Sequence, residues 1–296
     1  MDYLIRFGQI GDVITAAETS IELNAKLIVC ESKRAFFSRK NNNGYQKLLN
    51  TIENRLNINI QNITFFSLKK IIKNGHKKRQ SRIFLMTQSI STYDKIFCCF
   101  LSLLLLNRVE LLNEGTQTFF GSLKRSRDLF LKRMSVYRDR PLTISIVWDG
   151  KERQKNLNQK QIHRFIDLLI EFFPNSKINI LGKTFIDIDN KHAVNKSGNT
   201  TLNEAFNFIE KSNMVISVDT GLLHYAVFKN IPTIAIIAHR LRLANWFPAS
   251  SPTALISPIN SANKYKCVKD CHDCILNKEV NDINVSYKLR ELLMSI

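Results

Sequence analysis

No apolar run in this sequence is long enough to cross a bilayer. The longest, Ile96 to Leu106, covers 11 residues, against the ~20 that a membrane helix needs. It reads as a buried element of a folded domain. A secretory leader is also missing: Met1 runs straight into Tyr3-Leu4-Ile5, with no basic stretch and no small-residue cleavage site. The cysteines are few, at 30, 98, 99, 267, 271 and 274, and are not spaced as a secreted disulfide framework. These absences together imply a cytoplasmic protein, peripheral wherever it meets a membrane. Repeats at solenoid periods and low-complexity tails are lacking too. With 44% apolar and 23% charged residues, the composition excludes disorder as the default.

Acidic side chains are scarce. Only 25 Asp+Glu face 43 Lys+Arg, a net charge of +18. Residues 1–142 hold 24 basic and 11 acidic groups, or +13, which leaves +5 for the rest. A field of that sign attracts anions: nucleic acid, an anionic leaflet or a phosphorylated acceptor. A well-solvated Lys-rich surface is the alternative. No RNP, helix-turn-helix or other named module accompanies the charge, so nucleic acid is not expected.

What is present is an α/β rhythm in a 296-residue chain, long enough for two modest domains. Tyr3–Phe7 reads as a strand, Val13–Leu23 as a helix with Val13, Ala16, Ala17 and Ile21 on one face, and Ala25–Cys30 as a second strand. Strand-like runs follow at 63–66 and 83–86. The polar stretch Arg138-Asp139-Arg140-Pro141 predicts a boundary. It divides the chain into two domains, 1–140 and 141–296. Beyond it the spacing predicts a strand at 143–147, a helix at 161–173 stopped by Pro174, and a strand at 177–181. A capping box at Thr201–Glu204 opens a helix to Lys211. A strand at 214–218, a helix at 222–229, a strand at 232–237 and a final helix at 285–296 complete the pattern. Alternation on both sides of the boundary implies two doubly wound sheets, whose ligands sit at the carboxyl ends of the strands.

Two turns stand where such ligands bind. In Gly8-Gln9-Ile10-Gly11-Asp12, Gly8 and Gly11 allow a tight turn and close backbone approach. Asp12 then sits at a helix mouth, where the helix dipole favours a carboxylate. Spacing alone leaves open whether Asp12 is functional or a plain N-cap. The dinucleotide fingerprint is not met, because its third glycine and its later acid are missing. In Asp219-Thr220-Gly221-Leu222-Leu223-His224, backbone N–H groups at a helix start can bind phosphates, and Asp219 can accept from a polyol. Here too an N-cap, with His224 as a core or capping histidine, remains open.

Together the turns resemble glycosyltransferase family 9, the ADP-heptose:lipopolysaccharide heptosyltransferases. The resemblance rests on Ile5 through Val13, on Asp219 through His224, on Ala226 and on Ile231-Pro232-Thr233-Ile234-Ala235, with Asn199 through Glu204 as the lead-in. It implies a GT-B fold, two Rossmann-like domains facing a central cleft, and an inverting transfer without an obligatory metal. It implies Asp12 as general base and Lys155 as a contact of the nucleotide diphosphate. Asp219 would hold the donor sugar, Thr220 and Gly221 would form the phosphate turn, and His224 completes the donor motif. The sequence departs from the family after Lys155, where Asn156-Leu157 replaces the usual Trp-Pro. The ribose-binding acid has no firm position, Asp187 being nearest after the strand.

The basic run Lys69, Lys70, Lys73, Lys77, Lys78 and Arg79, closing at Arg82, is similar in place and charge to the family's acceptor-side segment. There it would meet an anionic lipopolysaccharide core or the inner-membrane face; a solvated helix face is the alternative. Cys267, Cys271 and Cys274 suit a soft metal such as Zn or Fe, although a fourth ligand is not evident. Certain autotransporter heptosyltransferases of the family bind iron through such a cluster, and idle thiols are the other reading. Cys98 and Cys99 are expected in the core. The sequence thus points to transfer of heptose from ADP-heptose to lipopolysaccharide core. The alternatives are a related enzyme using another sugar or acceptor, such as O-antigen or protein, and a non-catalytic binder of nucleic acid or anionic lipid.

Overall fold

The computed structural model describes residues 2–7, 10–30, 32, 36, 43–62, 65, 67–70, 82–87, 92–105, 109–113, 119–137, 140–150, 156–237, 251–256 and 279–296. The chain divides into two compact units, residues 1–116 and 117–296.

The first unit runs β1 (Asp2–Phe7), α1 (Ile10–Glu22), β2 (Ala25–Cys30), α2 (Asn43–Leu56), β3 (Ile60–Gln61), β4 (Ile83–Thr87), α3 (Thr92–Leu105) and β5 (Val109–Asn113). Its strands form one sheet in the order β3-β2-β1-β4-β5, every pair parallel. Both faces of the central strands are covered, so they are nearly continuous apolar runs: Leu4, Ile5, Ile28, Val29 and Leu85 are all fully buried. Val13, Ala16 and Ala17 of α1 pack inward as the periodicity requires, whereas Ile21 is exposed. The strand expected at 63–66 falls mostly outside the described residues; within it Phe65 is helical and buried, and the short β3 precedes it.

The long apolar run is the body of α3 and is buried on one side only. Phe97, Cys98, Leu101 and Leu105 face the core, while Ile96 and Phe100 are exposed. Cys98 donates to the Val109 carbonyl at 3.0 Å, but Cys99, expected in the core, is exposed. Burial pushes the Cys30 thiol up to about 12, which leaves it inert as a nucleophile at neutral pH.

The second unit contains α4 (Phe119–Met134), a 3-10 turn (Ser135–Tyr137), β6 (Thr143–Val147), α5 (Gln159–Phe172), β7 (Lys177–Leu181), β8 (Ala193–Asn195), α6 (Leu202–Glu210), β9 (Met214–Val218), α7 (Gly221–Phe228), β10 (Thr233–Ile236), β11 (Thr253–Ile256) and α8 (Glu279–Met294). Its sheet is also wholly parallel, ordered β11-β10-β9-β6-β7-β8. Counted from β6, that is the doubly wound order 3-2-1-4-5-6 read backwards. The chain leaves β7 for β8 on one side and returns to β9 on the other side of β6. The switch point is therefore the seam between β6 and β9. Two of its helices start on capping boxes, Asn158 with Gln161 and Thr201 with Glu204. The inward face of α5, Ile162, Phe165, Ile166 and Leu169, is the face expected from its spacing.

One expectation about the division needs correction. The boundary lies before α4 and not at Arg138–Pro141, because Phe130 and Met134 are fully buried in the second unit's core. The last helix packs on α5 and β11. Val285, Leu289, Leu292 and Leu293 enter that same core, and Arg290 donates to Glu171 at 2.5 Å. The charge reading changes accordingly. Residues 1–116 hold 17 basic and 9 acidic groups, or +8, and residues 117–296 hold 26 and 16, or +10. The basic excess is shared by both units. Much of what had counted for the first belongs to α4, whose Lys124, Arg125, Arg127, Lys132 and Arg133 are exposed.

Candidate functional site

In the second unit, β9 emerges at Val218 and α7 begins three residues later. Thr220 is the N-cap in extended geometry (φ −141°, ψ 171°), and its hydroxyl accepts from the Leu223 N–H at 3.4 Å. Asp219 Oδ1 lies 3.8 Å from His224 Nε2, one turn into the helix, and both side chains are partly buried. The functional and capping readings are thus divided among different residues. Thr220 caps the helix, which leaves Asp219 to pair with His224.

The neighbouring exit, from β6, is Trp148-Asp149-Gly150. A Cβ on Gly150 would stand 2.9 Å from Thr220 Cγ2 and 3.4 Å from the Asp219 carbonyl oxygen. Only glycine lets the two exits close on each other at the switch point. Gly150 N–H donates to Asn156 Oδ1 at 2.9 Å, and Leu157 N–H to the Trp148 carbonyl at 2.9 Å. Lys155 lies outside the described residues; its successor Asn156 is thereby tied to the β6 exit.

Asp149 was not singled out from the sequence. It is 5% exposed. Its carboxylate accepts from the Lys183 and Thr184 N–H groups, each at 2.8 Å, and from the Thr184 hydroxyl. It therefore pins the exit of β7 to the exit of β6. Its signal is a carboxylate two residues past a buried strand, but chain order does not reveal partners 34 and 35 positions away. Replacing Asp149 with Ala strands two backbone donors. The expected cost is about 2–3 kcal/mol of stability, read from the urea midpoint at unchanged m-value.

In the first unit, Asp12 lies in the first turn of α1, inside the helix and not at its N-cap. Arg6, from β1, reaches it with Nη2 at 2.6 Å from Oδ1 and donates through Nη1 to the Met86 carbonyl at 3.1 Å. The Arg6 side chain is only 4% exposed and that of Asp12 is 20% exposed. Arg6 thus links β1, β4 and α1 beside this sheet's own switch point, between β1 and β4. Gly11 is within α1, and Gly8 lies outside the described residues. Lys69 and Lys70 are helical and exposed, while Lys73, Lys77, Lys78 and Arg79 lie outside the described residues. Arg82 pairs with Asp2 at 2.7 Å and so ties β4 to the start of β1.

Cys267, Cys271 and Cys274 also lie outside the described residues. Among the described residues no cluster of three His, Cys, Asp or Glu side chains could hold a metal ion, and no helix is long and apolar enough to cross a membrane.

Residues 177–267 match the family model "Glycosyltransferase family 9 (heptosyltransferase)". That stretch contains Asp219 through His224, so the match bears out the resemblance read from the late motif and indicates a glycosyltransferase. No curated protein matches the sequence. Among solved structures, a glycosyl transferase family 9 protein from Veillonella parvula aligns over 100% of this chain and 99% of its own, at 12% identity and a TM-score of 0.58. E. coli ADP-heptose lps heptosyltransferase II aligns over 99% of each chain, at 15% identity and a TM-score of 0.52. The iron-containing dodecameric glycosyltransferase TibC from enterotoxigenic E. coli aligns over 99% of this chain and 76% of its own, at 14% identity and a TM-score of 0.50. At such identities the likeness is one of fold, two parallel Rossmann-like sheets of the GT-B type.

Proposed function

We propose, from a chain whose residues 177–267 match glycosyltransferase family 9, that it moves a heptose from ADP-heptose to the core of lipopolysaccharide with inversion. The observation that carries this reading is the Asp219-Thr220-Gly221 turn. It opens a helix at the carboxyl end of β9, on the switch-point seam beside the β6 exit. In the proposal the donor diphosphate lies on the N–H groups at the start of α7, with Lys155 as counter-charge. Asp219, oriented by His224, accepts from sugar hydroxyls.

The acceptor hydroxyl oxygen attacks the anomeric carbon. The bond from that carbon to the diphosphate oxygen breaks, the hydroxyl proton passes to Asp12, and the nucleoside diphosphate leaves with the electron pair. A positioned base and a preorganised positive site stabilise the two ends of that transfer. The acceptor contacts are assigned to Lys69, Lys70, Lys73, Lys77, Lys78 and Arg79, where an anionic core or the cytoplasmic leaflet would meet them. No metal takes part, so EDTA should leave turnover unchanged. A metal at Cys267, Cys271 and Cys274 would be structural, and its removal would lower the melting temperature instead.

A thermal-shift panel of ADP-, UDP-, GDP- and CMP-sugars tests the donor. A ligand that binds only the native state raises its melting point. The largest shift is expected with ADP-heptose. A larger shift with another nucleotide sugar reassigns the donor, and no shift with any of them removes the reading.

A further inference from the structure

Phe185 is 64% exposed, yet the backbone on both sides of it is fixed. On one side the Asp149 carboxylate holds the Lys183 and Thr184 N–H groups. On the other, Ile186 N–H donates to Ser197 Oγ at 3.1 Å, and the Ile186 carbonyl accepts from Asn195 Nδ2 at 2.6 Å. One residue further, the Asp187 carbonyl accepts from Gln159 Nε2 at 2.6 Å. Gly198 closes the arrangement from below. Its N–H donates to the Gly182 carbonyl at 2.9 Å, its φ is +70°, and a Cβ there would stand 2.8 Å from Phe185 N and Cβ. A single exposed aromatic is ordinary on a protein surface. One carried on a loop tied to three other segments, at the carboxyl edge of β7 and β8, is a preorganised flat apolar surface.

We infer that Phe185 is the stacking platform for the base of the nucleotide. The inference rests on the proposed donor site and assigns its far end. With the diphosphate at the switch-point seam, on the start of α7, the nucleoside of a ligand on a doubly wound sheet extends across the first strand toward the end of the second. Here the first strand is β6 and the second is β7. At the β6 and β7 exits a Cβ on Gly150 would meet Thr220 Cγ2 at 2.9 Å and one on Gly182 would meet Trp148 Nε1 at 2.2 Å, so the exits are closely packed, and the exposed Phe185 follows on the loop that leaves β7. Every base offers a π face to an aromatic ring, so stacking supplies affinity with little selection among bases. Selection among bases then falls to the polar edges of the neighbouring loops.

The test is calorimetric titration of ADP, UDP, GDP and inorganic pyrophosphate into the wild type, Phe185→Ala and Phe185→Trp. Phe185→Ala should weaken the tightest-binding nucleoside diphosphate by about 5- to 100-fold, the range found when a stacking ring is removed. Pyrophosphate, which has no base, should bind both proteins alike. Phe185→Trp should restore the nucleotide affinity, with its indole fluorescence quenched on binding. Unchanged nucleotide affinity in Phe185→Ala, or an equal loss for pyrophosphate, overturns the stacking role and leaves the donor site standing. A wild type that binds none of the three nucleotides overturns the donor site and this inference with it.

Discussion

Asp12→Asn should lower turnover by about 10²–10⁴-fold, the usual share of a general base, with donor affinity close to wild type and a smaller loss of melting temperature than Asp12→Ala. Asparagine is the informative replacement because it keeps an Oδ1 to accept from Arg6, whose guanidinium is 4% exposed and 2.6 Å away. Alanine confuses two effects. It removes the base and also strips the oxygen that accepts from a buried guanidinium, which adds about 1–3 kcal/mol to the loss of charge that both replacements share. Arg6→Lys gives the complementary result. It keeps the charge but not the two-pronged reach to Asp12 and the Met86 carbonyl, and should reduce turnover by up to about 10²-fold through misplacement of the carboxylate. Steady-state rates with a core acceptor, alongside calorimetric donor affinities, separate the two. If Asp12→Asn turns over like the wild type, the ion pair is structural and the base lies elsewhere.

Asp219→Ala and Gly221→Val should act on the donor instead. Loss of a carboxylate that accepts from sugar hydroxyls is worth roughly 1.5–3 kcal/mol per charged hydrogen bond, or about 10- to 100-fold in nucleotide-sugar affinity. The loss should be far smaller for the nucleoside diphosphate alone, because the sugar is absent. Gly221→Val places a branched side chain where the phosphates approach the helix start, so it should weaken sugar-free and sugar-bearing nucleotides together. His224→Asn separates orientation from contact: if His224 steers Asp219, this variant should follow Asp219→Ala in pattern at smaller size. Equal affinities across all three variants would place the donor elsewhere.

Much of the second unit is legible in the chain itself. Its strands are short apolar runs bounded by breakers, and Thr201–Glu204 and the face of α5 announce two helices, so β6, β7, β9, β10 and their helices stand close to where periodicity puts them. Three elements, one in the first unit and two in the second, are harder to read. α2 and α4 are polar over most of their length and β8 is three residues long, so neither period emerges. The boundary is displaced for a related reason. Pro141 breaks local structure, but domain membership is decided by where Phe130 and Met134 are buried, and that is a long-range fact. In the site, the Asp219 turn is readable because its chemistry lies in consecutive residues. Asp149, Arg6 and Phe185 are not, because their roles depend on Thr184, the Met86 carbonyl and Gly198, brought to them by the parallel crossovers.

The central claim, that this chain transfers sugar from a nucleotide donor to a lipopolysaccharide core, is tested most directly by mass spectrometry and NMR of a single reaction. Purified protein, ADP-heptose and a heptose-deficient core acceptor are incubated with EDTA present. The account predicts one heptose added per acceptor, one ADP released per heptose transferred, and an anomeric configuration opposite to that of the donor. An acceptor that remains unmodified with ADP-heptose and with the UDP-, GDP- and CMP-sugars, or a product that retains the donor's configuration, contradicts it.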